Sequence, residues 1–463
     1  MNGTHYVGIA IVLIFMSAVG IYSGKRVKTA ADFAGGTRNA GAGMITGAIL
    51  GSLVGGASTI GTAQLAFSYG FSAWWFTLGG GIGCVLMRAF FAKPIYNSGI
   101  TTVPQIFNNA YGERIATMSA LFTGLGSFIS LIVQIMSGVA LITAIVDIPP
   151  ALAAIILYVL TMFYVVFGGI WGAGMVGLVK TVLLCVGVGG CGVLAIALQG
   201  GFPAFIQSLP ANRYFSVIAQ GASIDLGSGL SAVLGTITTQ AYIQAIVTAK
   251  NLKLCNRAIN ICAVLMPLIG VMSIFVGMYM KLNYPNIEAA FALPQFILLN
   301  TPPLLAGIVL ATLLVAIVGS GAGVSLAIST IIIKNIYNVY INKNADDKKN
   351  LRSSRMIILF MLGVTVVLTI VGVDDTILGL SYLSMGFRGA VVFIPMCTAI
   401  FLPNSIKRTY IFAAMIAAAA GVFLSKTLLP PNIDPLFAGV ALSLFVIAIG
   451  FVNGRKDIKA LKI

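Results

Sequence analysis

Charged side chains are scarce in this sequence, and carboxylates are the scarcest. Asp and Glu supply 11 of the 463 residues, and all charged residues together make up 8% of the chain, whereas a soluble domain carries about a quarter. Hydrophobic residues make up 59% of the sequence, and the mean hydropathy is +1.03. This composition excludes an ordinary soluble domain. We predict an all-α membrane protein whose surroundings are the lipid bilayer.

The residues of common catalytic and metal centres are also missing or badly placed. The single histidine, His5, stands near the N-terminus, which argues against histidine catalysis and metal binding. The six cysteines show no metal-ligand spacing, and we interpret them as packing residues. The phosphate-binding pattern GxxxxGK[ST] does not occur, which argues against a nucleotide-driven pump. We therefore expect no enzyme activity, no catalytic residue and no bound cofactor.

Thirteen apolar runs are long enough to cross a bilayer, which takes about 20 residues. They cover residues 5–23, 41–67, 71–92, 114–146, 150–168, 172–199, 229–249, 258–281, 303–334, 355–373, 376–402, 409–428 and 436–453. No basic segment precedes the first run, but Lys25, Arg26 and Lys28 follow it. We interpret this run as an uncleaved anchor with the N-terminus outside.

The net charge of +16 is explained by where the basic residues lie. With the N-terminus outside, the connections after odd-numbered runs face the cytoplasm, and they contain nearly all Lys and Arg residues. Arg38, Lys250 and Lys334 belong to three of these connections. This is the positive-inside pattern. We predict a multi-pass protein of the cell membrane with a cytoplasmic C-terminus and no nucleic-acid partner.

Two basic residues fall inside predicted spans, where no acidic residue shares their depth. Arg388 lies about 18 Å from either end of span 376–402, so its guanidinium must face protein or a wet cavity. A structural tie between helix ends and direct binding of a substrate carboxylate are both open. Lys180 lies about 12 Å from the inner edge of span 172–199, where its side chain could instead snorkel to water.

Small and hydroxyl residues interrupt the second span. Gly51, Gly55 and Gly56 stand at its centre, followed by Ser58 and Thr59. A break in the helix would free carbonyl groups beside hydroxyl groups, which suits a small cation or a polar solute. Close helix packing at small residues is the alternative.

Five stretches of the chain form a series with a familiar order and spacing. They are GASTIGTAQLAFSYGFSAWW, FAKPIYNSGITTVPQIFNNAYG, GGIWGAGMVGLVKT, QAYIQAIVTAKN and AIVGSGAGVSLAISTIIIKNIY. The series resembles the sodium/solute symporter family of LeuT-type secondary transporters. The resemblance implies a core of two inverted five-helix repeats, about 41–199 and 229–402. One extra helix in 1–40 would precede the core, and two extra helices and a tail in 403–463 would follow it.

The resemblance also implies a sodium site between the first and eighth core helices. By motif position its ligands would be the carbonyl groups of Gly51, Val54 and Ala316 and the hydroxyl of Ser320. Gly319 stands where the family commonly has a second hydroxyl. Ala322 and Gly323 replace hydroxyls of a second site that some members have, so we expect at most one sodium ion.

Lys180 bears on the choice of coupling ion. It stands where the family usually has Gln, one turn beyond Gly177, where the family has an acidic residue. In some LeuT-type relatives a lysine on this helix takes the place of sodium. Sodium is therefore the first expectation. The alternative is sodium-independent or proton-coupled transport, with the Lys180 ammonium in the sodium site.

The substrate is expected at the membrane midplane between the repeats. Family positions that face the substrate fall on Ser58, Thr77 and Thr239, and further polar candidates within spans are Gln134, Gln240 and Arg388. Hydroxyl and amide groups without a carboxylate favour a neutral or anionic solute, and an amino acid or small carboxylate is the first expectation.

A secondary symporter that imports a small organic solute by alternating access is the function that these observations favour. A channel is disfavoured because neither a repeated filter sequence nor a ring of acidic residues occurs. A transporter-like solute sensor is the alternative from another class, and solute flux without a downstream partner would separate the two. The sequence contains no signal for the oligomeric state.

Overall fold

The structure is a computed structural model that describes residues 1–24, 38–343, 346–372, 375–403, 405–428, 430 and 432–460, with side chains described except at 166–173, 426 and 454–460. Lys25, Arg26 and Lys28 of the first predicted inner loop lie outside the described residues. The described ranges contain helices and no β-strand, apart from one isolated bridge between Ala40 and Ala249. The predicted all-α class is confirmed.

Helices follow one another along the described chain with short connections. They are α1 (Gly3–Gly24), α2 (Ala42–Leu53), α3 (Thr62–Tyr69), α4 (Trp75–Leu86), α5 (Ala92–Ser98), α6 (Val103–Tyr111), α7 (Glu113–Ile145), α8 (Pro150–Leu198), α9 (Phe202–Gln207), α10 (Ala211–Tyr214), α11 (Ala222–Ile237), α12 (Gln240–Val247), α13 (Leu252–Asn283), α14 (Ala292–Asn300), α15 (Pro303–Ile332), α16 (Asp347–Val371), α17 (Ile377–Arg388), α18 (Ile394–Phe401), α19 (Arg408–Leu428) and α20 (Pro435–Ala460). Single π-helical segments, common at functional sites, occur at Ala57–Gly61, Met87–Phe91, Ile333–Ile341 and Gly389–Phe393.

Eleven helical stretches in the described ranges are long and apolar enough to cross a membrane, and three shorter apolar stretches accompany them. Some of the eleven join consecutive helices across a short interruption, and the two described parts of α8 are counted separately. The predicted number of thirteen spans is therefore not confirmed. Two predicted spans, 150–168 and 172–199, belong to the single helix α8, which has no non-helical connection between them.

The two ends of α8 nevertheless do not lie in line. A methyl group on Gly319 would lie 3.2 Å from Nζ of Lys180 and 3.3 Å from the hydroxyl oxygen of Tyr164. In a straight helix, those two α8 residues would be about 24 Å apart along the axis, too far for both side chains to reach one point. The segments 150–165 and 174–198 therefore both pack beside α15, as two separate predicted spans would.

The predicted span 229–249 overlaps the apolar helical stretch Ala222–Val247, which contains an interruption that was not predicted. The helix begins earlier, at Ala222, and is interrupted after Ile237, so that α12 starts a new helix at Gln240. The side chains of Thr238 and Thr239 donate hydrogen bonds back to the carbonyl oxygens of Leu234 and Gly235, at 2.9 and 2.6 Å. Hydroxyl groups of this kind compete with the helical hydrogen bonds. The consecutive threonines were a signal that hydropathy alone does not register.

Residues of three predicted inner connections lie together. The Arg38 guanidinium donates to the carbonyl oxygen of Tyr96 at 3.0 Å, and the Tyr96 hydroxyl donates to that of Lys250 at 3.3 Å. Lys334 donates to the hydroxyl of Thr101, five residues after Tyr96, at 2.6 Å. These contacts join segments that the charge pattern assigns to one side of the membrane.

Candidate cation and substrate sites

The break in the second predicted span is present at its glycines. Helix α2 ends at Leu53, Val54 is extended, and helical structure resumes at Ala57. The N–H of Gly56 donates to Oε1 of Gln134 at 3.2 Å, and the Ser58 hydroxyl donates to the carbonyl oxygen of Gly55 at 3.1 Å. The side chains of Gln134 on α7 and of Ser58 just after the break therefore satisfy backbone groups that the break leaves without helical partners.

Helix α15 closes on the break from the other side. The hydroxyl of Ser320 donates to the carbonyl oxygens of Gly51 at 2.9 Å and Val54 at 3.3 Å. A methyl group on Gly55 would lie 2.5 Å from this hydroxyl oxygen, so the approach of α15 requires glycine there. The Ser320 hydroxyl thus contacts two of the three carbonyl oxygens predicted as sodium ligands.

The ammonium of Lys180 lies among these oxygen atoms. Its Nζ donates to the carbonyl oxygens of Gly51 at 2.6 Å and Ala316 at 2.9 Å, and to the hydroxyl of Ser320 at 3.0 Å. The side chain is 1% exposed, so the snorkelling interpretation is wrong. An ammonium group has three N–H donors, and each of them has an acceptor here.

The close contact of Gly177 on α8 with Gly47 on α2 brings Lys180 within reach of Gly51. A methyl group on Gly177 would overlap the carbonyl oxygen of Gly47 and lie 3.2 Å from Cα of Gly51. No side chain fits between α2 and this part of α8. An acidic side chain at position 177, which the resemblance implies for the family, would push the helices apart. Glycine at this position lets Lys180, one turn further, reach the carbonyl oxygen of Gly51.

Gly319 completes the surroundings of the ammonium. A methyl group there would lie 3.2 Å from Nζ of Lys180, which is closer than an ordinary carbon contact. A serine or threonine at this position, as the family commonly has, would crowd the lysine side chain. The two departures from the family pattern, at Gly177 and Gly319, therefore both make room for Lys180.

Carbonyl and hydroxyl oxygens are suitable ligands for a small hard cation, so the oxygen set itself fits sodium. However, Nζ already lies where three of these oxygens, those of Gly51, Ala316 and Ser320, converge. A sodium ion at that point would have to displace a cation of the same charge. The chemistry available here is binding of one positive charge, supplied either by the lysine or by an ion.

A second cluster surrounds Arg388, the last residue of α17. The guanidinium is 4% exposed and makes two long hydrogen bonds, from Nε to the carbonyl oxygen of Ser384 at 3.3 Å and from Nη1 to the hydroxyl of Thr239 at 3.4 Å. It faces a cavity of about 50 Å³ between α7, α12, α15 and α17. A cavity of this size has room for a few water-sized groups.

The cavity collects four of the six predicted substrate residues. Gln134, Thr239, Gln240 and Arg388 line it. The amide of Gln240 is engaged elsewhere, accepting from the N–H of Val103 and donating to the carbonyl oxygen of Thr101, both at 2.8 Å.

Ser58 and Thr77 are not among the described lining residues. Ser58 caps the helix break, and a methyl group on Gly270 of α13 would overlap the Thr77 hydroxyl. Sequence reasoning missed Ser127, Ser130 and Ser381, which line the cavity. Ser127 and Ser130 share one helix face with Gln134 because they lie seven and four residues before it, and this spacing was the available signal.

The sequence model of the Sodium:solute symporter family matches residues 33–421. The chain belongs to this family. Members of the family are transporters and not enzymes, and the many apolar helices are those of a multi-pass membrane protein.

Among relatives of the chain, the High affinity choline transporter 1 of Homo sapiens is 24% identical over 81% of the chain and 67% of its own length. The Sodium/myo-inositol cotransporter 2 of Oryctolagus cuniculus is 24% identical over 76% of the chain and 59% of its length. The Uncharacterized symporter YwcA of Bacillus subtilis is 25% identical over 57% of the chain and 55% of its own length. The chain thus spans little more than half to two thirds of these relatives.

Solved structures share the fold of the chain. An outward-open Na+-coupled sialic acid symporter superposes with a TM-score of 0.82 at 17% identity, covering 98% of both chains. Mhp1, a nucleobase-cation-symport-1 family transporter, gives 0.58 at 14% identity over 89% of this chain and 92% of its own. The likeness shows a LeuT-type transporter fold.

Proposed function

We propose that this symporter imports a small organic solute by alternating access and that the ammonium of Lys180 takes the place of the coupling sodium ion. A proton bound at Nζ would then be the coupling ion. The observation that supports this proposal is the set of three short hydrogen bonds from Nζ to Gly51, Ala316 and Ser320. These oxygens are the ones that the family motif assigns to sodium.

Protonation of Lys180 would act on the packing of three helices. The charged amine connects the end of α2 with α8 and α15 through charge-assisted hydrogen bonds, which are stronger than neutral ones. Loss of the proton weakens these connections and favours conformations in which α2 separates from α15. A coupling ion works in this way, by binding one conformation better than the other.

Sodium coupling is the second candidate function. The family is sodium-coupled, and the hydroxyl of Ser320 already bridges the carbonyl oxygens of Gly51 and Val54. On this reading Lys180 leaves the site when sodium enters.

The finer architecture is proposed with the function: thirteen spans and two inverted repeats, about 41–199 and 229–402, flanked by 1–40 and 403–463. Both repeats would have a broken first helix, at 54–56 and at 238–239, which is the pattern of transporters with internal symmetry. The contacts among Arg38, Tyr96 and Lys250 support one common side for these connections. The positive-inside pattern assigns that side to the cytoplasm, with the N-terminus outside and the C-terminus inside.

Thermal stability of the purified protein in sodium and in potassium, at matched ionic strength and across pH, tests the coupling ion. Ligand binding to the folded state stabilises it by RT ln(1 + [L]/Kd). We expect no sodium-specific stabilisation, and a pH dependence that disappears in Lys180→Gln. The exposed Lys253 on α13 offers the control Lys253→Gln, which should behave like the wild type. A sodium-specific rise in the wild type would instead favour the second candidate.

Solute flux into proteoliposomes separates the transporter from the sensor. Uptake by the protein alone, without a downstream partner, is expected. Binding without flux would be the result for a sensor.

A further inference from the structure

We infer that the solute is a small anion, a short monocarboxylate, whose carboxylate group binds the guanidinium of Arg388 at the amino end of α12. The inference rests on the proposed transport through the central cavity. It narrows the expected solute from an amino acid or carboxylate to a carboxylate without an ammonium group.

The guanidinium of Arg388 has more hydrogen-bonding capacity than its surroundings use. Arginine has five N–H donors, and this one makes two hydrogen bonds of 3.3 and 3.4 Å, to Ser384 and Thr239. Both are longer than the usual range of about 2.7–3.2 Å. The side chain is 4% exposed, and its remaining donors have no acceptor among the described residues. A polar group that is buried, poorly paired and directed into a cavity indicates a missing partner.

That partner has to be an acceptor, and charge favours an anion. The described residues that line the cavity include no Asp or Glu, so no carboxylate of the chain neutralises the guanidinium there. An unpaired buried charge is costly. A carboxylate fits best because its two oxygens match the planar fork of arginine.

The neighbouring helix terminus favours the same charge. The first residues of α12, namely Thr239, Gln240 and Ala241, also line the cavity. The Thr239 hydroxyl donates to Gly235 and does not cap the amide groups of α12. An uncapped amino end carries partial positive charge and binds anions. Guanidinium and helix end therefore point to one anionic group.

The remaining walls limit the rest of the solute. The hydroxyl residues Ser127, Ser130 and Ser381 line the cavity together with the apolar side chains of Phe76 and Met385. The cavity volume of about 50 Å³ leaves room for a short carbon chain. An amino group on that chain would share a small cavity with the guanidinium and find no acidic partner. A monocarboxylate with an alkyl or hydroxyalkyl tail suits these walls.

Isosteric ligand pairs test the inference in the unmodified protein. The purified full-length protein is heated with propionate or lactate and, in parallel, with propionamide or lactamide, which have the same shape without the charge. Phosphate serves as the inorganic anion. We expect saturable stabilisation by at least one carboxylate and none by its amide or by phosphate. Equal stabilisation by the amide, a stronger effect of phosphate, or no effect of any carboxylate up to 50-millimolar concentrations (about the weakest useful affinity) would overturn the inference.

Substitution of the arginine locates the site. Arg388→Gln should weaken carboxylate binding at least about 30-fold, because a buried charge-paired group loses its partner. Arg388→Lys keeps the charge without the planar fork and should give an intermediate affinity. The exposed Arg114 of α7 provides the control Arg114→Gln, which should bind like the wild type. Carboxylate binding that survives Arg388→Gln would contradict the assignment.

These assays measure binding and do not depend on the coupling ion. Carboxylate binding at Arg388 with a sodium-specific rise in stability would refute the role of Lys180 and leave the anion site standing. A pH effect that requires Lys180, without carboxylate binding, would do the reverse.

Discussion

Lys180 and Arg388 are both buried cations in helices, but their surroundings differ. The ammonium of Lys180 has three acceptors within 2.6–3.0 Å, one for each donor. The guanidinium of Arg388 has two acceptors at 3.3 and 3.4 Å for five donors. All donors of the Lys180 ammonium have acceptors within the described part of the protein, whereas three donors of the Arg388 guanidinium do not.

The difference indicates two ways in which a transporter can use a buried charge. A lysine whose donors are all satisfied by backbone and hydroxyl oxygens stands where a bound cation would stand, and it can be exchanged for one only by moving. An arginine with unused hydrogen-bond donors at a cavity can bind an anionic solute that enters the cavity. The following experiments test whether the first site can be turned into an ion site and whether the two charges work as a pair.

The largest effect is expected when the lysine is removed and the family's hydroxyl is restored. Lys180→Gln combined with Gly319→Ser would offer five candidate oxygen ligands: the three that contact Nζ, the Val54 carbonyl beside Ser320, and the added hydroxyl at position 319. We expect sodium, and not potassium, to stabilise this double variant by up to about 3 kcal/mol at 100 times its Kd. The measurement is thermal unfolding in the two salts at matched ionic strength.

The two single variants are the controls for the sodium-specific stabilisation of the double variant. Gly319→Ser alone should crowd Nζ and acquire no sodium response, since the ammonium is still present. If the double variant remains indifferent to sodium, the oxygen set is not an ion site and the substitution hypothesis for Lys180 loses its basis.

A smaller effect is expected from separating α2 and α8. Gly177→Ala places a methyl group against the carbonyl oxygen of Gly47, and overpacking of this kind costs about 1–3 kcal/mol. Shifting α2 also lengthens the bond from Lys180 to Gly51, so the pH dependence of stability should decrease. Thermal unfolding across pH measures both effects.

Gly190→Ala is the matched control for this prediction. Gly190 lies on the same helix, and a methyl group there would have no neighbour within 4 Å. Its replacement should be neutral or slightly stabilising. Similar losses in both variants would mean that helix propensity or lipid contact, and not the approach of α2, sets the effect.

Local sequence signals predicted one helix break and missed the other. Gly55 and Gly56 were visible as paired glycines in an apolar run, whereas the break at Thr238 and Thr239 is made by side chains that hydropathy treats as mildly polar helix residues. The fused helix α8 was hidden as well, because its two halves separate in space without a non-helical connection. Such features depend on packing partners that are distant in sequence.

The site could be predicted only as far as single positions allow. Lys180 was conspicuous as a charge in a span, but its distance from the membrane edge left snorkelling open. Whether it reaches Gly51 depends on the contact of Gly177 with Gly47, which only the packed helices reveal. Arg388 was equally conspicuous, while its unused donors became apparent only with the cavity around it.

The smallest effect is expected from the membrane potential, and it tests the two cations together. If one proton on Lys180 and one carboxylate at Arg388 move in the same step, the transported charge is zero. Moving a single elementary charge through 100 mV changes the free energy by about 2.3 kcal/mol, or about 50-fold in a rate that senses the whole potential. We expect propionate or lactate uptake into sodium-free proteoliposomes, driven by a pH gradient, to change less than about twofold when a potassium diffusion potential is applied.

In Lys180→Gln the anion would cross alone, so uptake should slow with a negative interior. A wild-type rate that already follows the potential would mean that the charge at Arg388 is not balanced by the proton at Lys180, and the two sites would then have to be treated as independent.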